Sequence, residues 1–402
     1  MVQQQEAASS VEDRTYWPTI DADAHVIETE HTWDYLEPWA SKYRPVRVAS
    51  SNNPRATPEW MVEGEPRGAG AARRPDEVAA GIGRTSWGLV IPPGAAELED
   101  VETRLHHMDE LGTDIQVMHT SIFGSSSMGT FSPDAEVALY RSWNRWVAEA
   151  TQESKGRLRW SAMLPVQTMD EAVKELEWAV QHGACAVFTP PVGVFGLMTA
   201  PEYYPIYEAA DRLDVPIAVH VGNANRTVAD MFRPGRVPGA SAFTTVKMFV
   251  IACAHALILS GIQSKFPRLR WVFLEAGAGW IPHVLHDLGA RMAYGREAGS
   301  SSDVRPLSPT VLADNRIYAA YETYENLRFI LEYAGEDNLV TATDYGHTGQ
   351  TAITDAVLQI TERRERGEVD PRVVEKMLRQ NPARLFGLGD GRLDDRPGLK
   401  SL

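Results

Sequence analysis

Short apolar segments alternate with longer amphipathic ones over most of the chain. Short segments rich in apolar and β-branched side chains predict strands, and the regular stretches between them predict helices. Eight strands are predicted, at about 19–26, 115–118, 158–164, 184–188, 216–221, 269–274, 317–321 and 339–343. The predicted helices span about 100–111, 134–153, 170–182, 203–213, 243–260, 281–293 and 324–334, and two more close the chain.

The alternation of strands and helices predicts a parallel sheet. Eight such units predict an α/β fold of the (β/α)8 TIM-barrel type, in which functional residues lie at the C-terminal ends of the strands. A doubly wound open sheet is the alternative, but no Gly-x-Gly-x-x-Gly sequence follows a predicted strand. We therefore divide the chain into an N-terminal arm (1–17), one barrel domain (18–388) and a C-terminal tail (389–402).

A long insertion at about 39–98 separates the first strand from the regular part of the chain. It is rich in Pro, Gly, Ala and Arg and includes Gly-Ala-Gly-Ala-Ala-Arg-Arg at 68–74. Trp60, Met61 and Trp87 indicate that parts of it pack. We expect a lid or a contact between subunits, with disorder as the alternative.

Composition and charge exclude several classes of function. The 402 residues are 44% hydrophobic and carry a net charge of −15, so a nucleic-acid partner is not expected. No apolar run reaches the roughly 18 residues of a membrane span, and Met1 to Asp13 lacks the pattern of a signal peptide. The two cysteines do not indicate a disulfide framework. We expect a cytoplasmic protein that forms a homo-oligomer or a complex with a related chain.

The first predicted strand has a polar face. From Ile20 to Val26, apolar or small residues alternate with Asp21, Asp23 and His25. Alternation in a strand places Asp23 and His25 on the same side. An acid beside an imidazole at a strand end is suited to binding a metal. A surface strand with incidental polar residues would have the same sequence pattern.

Histidines and acids recur where the other predicted strands end. The residues at these ends are Asp23, His25 and Glu28 on strand one, His119 on strand two, His220 on strand five, Glu275 on strand six, Glu322 on strand seven, and Asp344 with His347 on strand eight. Each alone has an ordinary explanation, such as a hydrogen-bonded core histidine or a helix cap. In a barrel, however, the ends converge, and clustered acids repel one another unless a cation neutralises them. No Lys or Arg lies within three residues of Asp23, Glu275 or Asp344, so a metal is predicted.

Six motifs between about residues 20 and 388 resemble those of amidohydrolase-related proteins, in the subgroup that holds metal-dependent aromatic-acid decarboxylases. The motifs are Asp-Ala-His-Val-Ile-Glu at 23–28, Met-Asp-Glu-Leu-Gly at 108–112, Pro-Ile-Ala-Val-His-Val-Gly at 216–222, Ser-Lys-Phe-Pro-Arg-Leu-Arg at 264–270, Phe-Leu-Glu-Ala-Gly at 273–277 and Thr-Asp-Tyr-Gly-His at 343–347. The resemblance implies that Asp23, His25, His220 and Asp344 are metal ligands. Asp23 stands where that family often has His or Glu.

The chain departs from the decarboxylating members at the end of strand six. Those members usually carry a His there and a Glu three residues later, where this chain has Glu275 and Ala278. With Glu28 and His347, seven side chains are candidate ligands, which exceeds the three or four of a catalytic zinc. A set of four acids and three histidines favours one or two Fe or Mn ions, with Zn as the alternative.

We favour oxygen-dependent hydroxylation of a small organic substrate at a dinuclear Fe or Mn/Fe site, because a few amidohydrolase-fold proteins resemble this. The alternatives are hydrolysis, with Asp344 or Glu275 moving the proton of a metal-activated water, and decarboxylation of an aromatic acid. A further alternative is an inactive partner subunit of a related chain. We expect His119 to face the barrel mouth and contact substrate, unless it is a buried, hydrogen-bonded core residue.

Overall fold

The structure is a computed structural model that describes residues 17–48, 59–66, 91–121, 131–222, 225–231, 243–297, 308, 310–347 and 351–388. The predicted arm up to residue 16 and the predicted tail at 389–402 lie outside the described residues. So does most of the predicted insertion, of which only 39–48, 59–66 and 91–98 are described.

Eight parallel strands form a barrel in which each strand pairs with the next along the chain. They are β1 (Ile20–Val26), β2 (Ile115–Thr120), β3 (Leu158–Ala162), β4 (Ala184–Thr189), β5 (Ile217–His220), β6 (Trp271–Leu274), β7 (Ile317–Tyr321) and β8 (Leu339–Thr341). Ala24 bridges Tyr345 just beyond β8, and the Asp344 amide donates to the Asp23 carbonyl at 2.8 Å. This contact brings the last strand back to the first, so the predicted (β/α)8 barrel is confirmed.

One long helix follows each strand. These helices are α1 (Val101–Glu110), α2 (Pro133–Ala150), α3 (Met169–Gln181), α4 (Tyr204–Leu213), α5 (Met248–Ser260), α6 (Ile281–Glu297), α7 (Leu327–Ala334) and α8 (Ala356–Glu365). The bounds of four helices differ from the prediction by three residues or more. α2 ends at Ala150 instead of about 153, and α6 ends at Glu297 instead of about 293. A π-helical turn at Phe243–Lys247 precedes α5, and α7 begins only at Leu327, since the Asn326 side chain caps it by accepting from the Phe329 amide.

Shorter elements connect these units. They are the helical segments Glu30–Trp33, Pro38–Tyr43, Gln152–Ser154, Pro201–Tyr203, Arg226–Met231, Ile262–Lys265, Val311–Asp314, Pro371–Glu375, Lys376–Gln380 and Asn381–Leu385, and the strands Val46–Val48, Glu59–Val62, Glu65–Pro66, Val192–Gly193 and Gly196–Leu197. No helix among the described residues is both long enough and apolar enough to cross a bilayer. The expected oligomer and the expected cytoplasmic location stay predictions.

The barrel interior has an apolar lower part and a polar upper rim. Small and branched side chains from the strands fill the lower part, and Phe386 and Leu388 from the end of the described chain pack against them. Because strand side chains alternate, the residue two positions after an interior apolar residue also points inward. Thus His220 follows Ala218 and reaches the upper rim.

A bulge in β1 changes which of its residues face the interior. Asp21 pairs with Gln116 and Ala24 with Met118, so β1 has one extra residue between these pairs. Ala22 packs inside the barrel, whereas Ala24 packs with the outer core. Asp23 and His25 lie on the same side, as alternation predicted, with Asp23 Oδ1 3.4 Å from His25 Nε2, whereas Asp21 lies outside with Gln116.

Candidate metal centre

Two histidine rings face each other at the upper rim. His25 lies one residue before the end of β1, His220 ends β5, and their Nε2 atoms lie 3.1 Å apart. The Nδ1 of His25 lies 3.1 Å from the Thr120 carbonyl, and the Nδ1 of His220 lies 3.1 Å from the Val221 carbonyl. A carbonyl only accepts, so each neutral ring carries its proton on Nδ1 and directs its Nε2 lone pair at the other ring.

Burial keeps both rings neutral. It lowers the pKa of His220 to about 4. It also lowers the pKa of His25 well below its usual value, and the neighbouring His347 and His220 lower it further. Two ring nitrogens with lone pairs therefore converge on one point without a proton between them.

Two buried carboxylates point at the same place. Asp23 Oδ1 lies 3.4 Å from His25 Nε2 and 3.7 Å from His220 Nε2, and Asp344 Oδ1 lies 3.4 Å from His25 Nε2. Among the described residues, no group donates a hydrogen bond to either oxygen of Asp23. Burial raises the pKa of Asp23 well above its usual value, and the charges of Asp344 and Glu275 raise it further. These are acceptors that need a cation.

Glu275 completes the rim beside His220. Its Oε2 lies 3.3 Å from His220 Nε2, and the Thr351 hydroxyl lies 2.8 Å from both Glu275 Oε1 and Asp344 Oδ2. Glu275 and Asp344 both have positive φ, 57° and 51°, which turns each side chain inward where its strand ends. Burial, together with the charge of Asp344, raises the pKa of Glu275 to about 8. In the metal-free protein, burial thus favours the protonated form of the Glu275 carboxyl.

His347 lies next to Asp344 and stacks on His25. Its Nδ1 is 2.8 Å from Asp344 Oδ1, its Nε2 is 3.0 Å from the Ser121 hydroxyl, and its ring centre is 3.6 Å from that of His25. Burial disfavours its protonated form, but the charges of Asp344 and Glu275 outweigh burial and raise the pKa of His347. His347 is therefore suited to carrying a proton as well as to binding a metal.

Glu28 lies in a separate environment of hydrogen-bond donors. Its Oε1 accepts from the Thr120 hydroxyl, the Ser121 amide and the Trp143 indole. Burial raises the pKa of Glu28. It belongs to neither of the two groups of donor atoms that converge closely enough to hold an ion, which are Asp23–His25–His220 and His25–Asp344–His347.

His119 faces the rim, as expected, and is also a buried, hydrogen-bonded residue. Its Nδ1 lies 2.7 Å from the Ser161 hydroxyl, and its Nε2 lies 3.3 Å from the Ala22 carbonyl and 3.7 Å from Asp23 Oδ1. Burial lowers its pKa to about 3. Because the Ala22 carbonyl can only accept, the neutral ring carries its proton on Nε2 and lies beside Asp23.

The donor set fits a cation of intermediate hardness. Imidazole nitrogens and carboxylate oxygens suit Mn, Fe and Zn alike. The two groups share His25 Nε2, and one lone pair binds one ion. The described geometry therefore favours a single ion held by Asp23, His25 and His220, with Asp344 as the fourth donor.

Sequence reasoning missed the residues that position these donors. Arg104 on α1 donates to the Gln116 amide oxygen at 2.8 Å and to the His25 carbonyl at 3.2 Å, and its guanidinium lies 3.8 Å from the Tyr345 ring centre. Gln116 in turn donates to Asp21 at 3.1 Å. Tyr345 therefore faces this outer network instead of the pocket.

The sequence matches one family profile and, over about half of its length, two curated enzymes. A family profile described as Amidohydrolase matches residues 20–388. The gamma-resorcylate decarboxylase of Rhodococcus jostii (strain RHA1) is 29% identical over 214 residues, which are 50% of this chain and 63% of that protein. The same enzyme of Polaromonas sp. (strain JS666 / ATCC BAA-500) is 25% identical over 210 residues, 49% of this chain and 61% of that protein. The chain thus spans less than two thirds of the length of these curated relatives.

Solved structures share the fold at low identity. An amidohydrolase from Mycobacterium avium subsp. paratuberculosis K-10 has a TM-score of 0.70 and 14% identity, covering 92% of this chain and 99% of that one. The 5-carboxyvanillate decarboxylase of Novosphingobium aromaticivorans DSM 12444, complexed with manganese and 4-hydroxy-3-methoxy-5-nitrobenzoic acid, has a TM-score of 0.62 and 15% identity, covering 94% of this chain and 97% of that one.

Proposed function

Because the chain belongs to the amidohydrolase family, as its motifs predicted, we propose that it is a divalent-metal enzyme that decarboxylates a small aromatic acid. The observation that carries this proposal is the position of the Glu275 carboxyl, 3.3 Å from His220 at the edge of a donor set for one ion. Burial raises the pKa of this carboxyl to about 8, which favours its protonated form. Decarboxylation needs one proton donor beside a bound anion, and Glu275 supplies it. The names of the relatives support the same reaction.

Asp23, His25, His220 and Asp344 would hold the ion. The ion supplies a Lewis acid that binds and polarises anionic oxygens of the substrate. Manganese is our first choice, since the related 5-carboxyvanillate decarboxylase was crystallised with it and the donor set accepts it.

Side chains of this protein would donate and recover the one proton that the reaction needs. The Glu275 carboxyl donates a proton to the ring carbon that bears the carboxylate. The bond between that carbon and the carboxylate then breaks, its electron pair stays with the ring, and CO2 leaves. Glu275 regains a proton from solvent, while His347, 2.8 Å from Asp344, is a second group able to hold a proton at the rim. His119 Nε2 lies 3.7 Å from Asp23 Oδ1, so the neutral ring borders that carboxylate.

A second candidate is the oxygen-dependent hydroxylation expected from the sequence. The observation in its favour is the second donor group, His25–Asp344–His347, with Glu275 close to both Asp344 and His220. Since His25 can serve only one ion, a second Fe or Mn ion would have to bind through Asp344, His347 and Glu275. Hydrolysis would use the ion at the Asp23–His25–His220 group, with a water molecule in place of the aromatic acid.

The deciding experiment incubates manganese-loaded protein with 2,6-dihydroxybenzoate, without oxygen, and measures CO2 and resorcinol. The proposal expects equal amounts of both, and none from metal-free protein. Product formation that requires oxygen, consumes it and retains the carboxylate would replace decarboxylation with hydroxylation. An absence of turnover with this acid, with 5-carboxyvanillate and with related hydroxybenzoates would overturn the proposed reaction.

A further inference from the structure

Lys247 and Glu322 form an ion pair above the barrel that the proposed reaction does not use. Lys247 ends the π-helical turn before α5, and Glu322 directly follows β7. Lys247 Nζ lies 3.4 Å from Glu322 Oε1. Because β6 lies between β5 and β7, the pair spans the side of the mouth where Glu275 lies.

The pair has unused hydrogen-bonding capacity. An ammonium group has three protons, and within the described part of the chain the hydrogen bond of Lys247 Nζ is the long one to Glu322. Glu322 Oε2 is buried and has no hydrogen-bond partner among the described residues. A buried acceptor without a donor costs free energy, so this oxygen is suited to a donor that arrives with a ligand.

Glu322 follows β7, which lies between β6 and β8. Glu275 and Asp344 follow those two strands, so the pair borders the metal centre. The charge of Lys247 lowers the pKa values of Glu275 and Glu322, although burial raises both overall. The Lys247 side chain is 20% exposed, and that of Glu322 is 6% exposed. The ammonium is thus the more exposed member of the pair and the carboxylate the more buried one.

We infer that Lys247 and Glu322 form a recognition site for an aromatic acid with a hydroxyl group next to its carboxylate. Lys247 donates to the carboxylate, while Glu322 holds Lys247 through Oε1 and accepts from the neighbouring hydroxyl through Oε2. An anion approaching four clustered acids needs such a positive group in addition to the ion. The inference rests on the proposed function for its substrate class, and it concerns binding rather than the reaction.

The test measures binding and turnover separately. Calorimetric titration of manganese-loaded protein uses four probes, namely 2,6-dihydroxybenzoate, salicylate, benzoate and phenol. We expect Lys247→Met to weaken binding of the hydroxy acids by about 10- to 100-fold, the range for a charge-assisted hydrogen bond, and to leave phenol unchanged. Lys247→Arg should restore most of the loss. Glu322→Gln should reduce the preference for salicylate over benzoate.

Lys265→Met is the matched control, because Lys265 is exposed and lies 4.6 Å from the Tyr204 ring centre, outside the mouth. It removes the same charge and should change neither binding nor metal content. If Lys247→Met binds all four probes like the parent protein and only its melting temperature falls, the pair is structural and the inference is wrong. If the parent protein binds none of the acids, the inference is wrong as well.

Two outcomes separate this inference from the proposed reaction. If hydroxy acids bind in a Lys247-dependent way but no CO2 is released, the recognition site is supported and the proposed decarboxylation is excluded. If Lys247→Met releases CO2 with an unchanged KM, the proposed decarboxylation is supported and the recognition site is excluded.

Discussion

The Nε2 atoms of His25 and His220 face each other at 3.1 Å, and each ring directs its Nδ1 at a backbone carbonyl. Two lone pairs this close, beside Asp23 oxygens that accept no hydrogen bond from the described residues, favour a bound cation. We therefore expect one tightly bound divalent ion per chain. Elemental analysis of protein grown with Fe, Mn and Zn available measures it directly.

Replacement of either histidine should remove that ion. We expect His25→Ala to lose at least about 100-fold in metal affinity, since it supplies a donor to both possible groups. His220→Ala should lower metal affinity at the Asp23–His25–His220 group alone. His106→Ala is the control, because His106 is exposed beside Glu110 on α1. Two bound ions that both survive in His25→Ala would contradict the shared-donor geometry.

The stability of the metal-free protein should fall as pH rises from about 6.5 to 8. The pKa of Glu275 is raised to about 8, and that of Asp23 is raised well above its usual value, so the folded state binds more protons there than the unfolded state. His119 and His220 act oppositely, but only below about 6.5, where unfolded histidine titrates. Thermal unfolding in the presence of a chelator, at several pH values, measures the effect.

Metal should reverse this dependence, because the ion binds the deprotonated donors and releases their protons. In Glu275→Gln the metal-free protein should show a shallower loss across the same pH range. A melting temperature independent of pH from 6.5 to 8 in the parent protein would show that the acids are not coupled as described.

Arg104 should affect the metal affinity of the site, although it is not a ligand. Arg104→Lys loses the planar contact with Tyr345 and cannot reach Gln116 and the His25 carbonyl together. We expect the free energy of unfolding to fall by about 2–3 kcal/mol and metal affinity by about 10-fold or more. Arg212→Lys, at an exposed pair with Glu177, should change stability by less than about 0.5 kcal/mol.

Much of this arrangement could be predicted from sequence because strand periodicity is local. Alternation alone places His119 and His220 inside the barrel, and the end of each strand determines its place at the rim. The β1 bulge could not be predicted, because it depends on Asp21 bonding to Gln116 and to Thr343, which is 322 residues away.

Other site residues escaped prediction for related reasons. Arg104 reads as an ordinary charge on an amphipathic helix, and its burial depends on β1, β2 and Tyr345 meeting around it. Lys247 lies far from any strand end in sequence, and only the π-helical turn before α5 brings it to Glu322. Such contacts depend on tertiary structure and leave no periodic signal.

Gly346 should be required beside the metal donors. Its φ is +100°, and a Cβ there would lie 3.2 Å from the His25 carbonyl oxygen. We expect Gly346→Ala to lower the free energy of unfolding by about 1–3 kcal/mol and to weaken metal binding by displacing His25. Gly367→Ala is the control, since Gly367 has a φ of +72° but open space around it. It should lower stability by about 1–2 kcal/mol and leave metal binding unchanged.

Glu275 separates the two candidate reactions. If it is the proton donor of a decarboxylase, Glu275→Gln should keep one ion per chain and lose about 10²- to 10⁴-fold in kcat, the usual contribution of a positioned acid. Its KM should change little, because the amide keeps the shape of the side chain. If Glu275 instead binds a second ion, the same substitution should remove one of two metal equivalents. Metal content and anaerobic CO2 release, measured on the same preparation, distinguish these outcomes, and full activity in Glu275→Gln would exclude both roles for this residue.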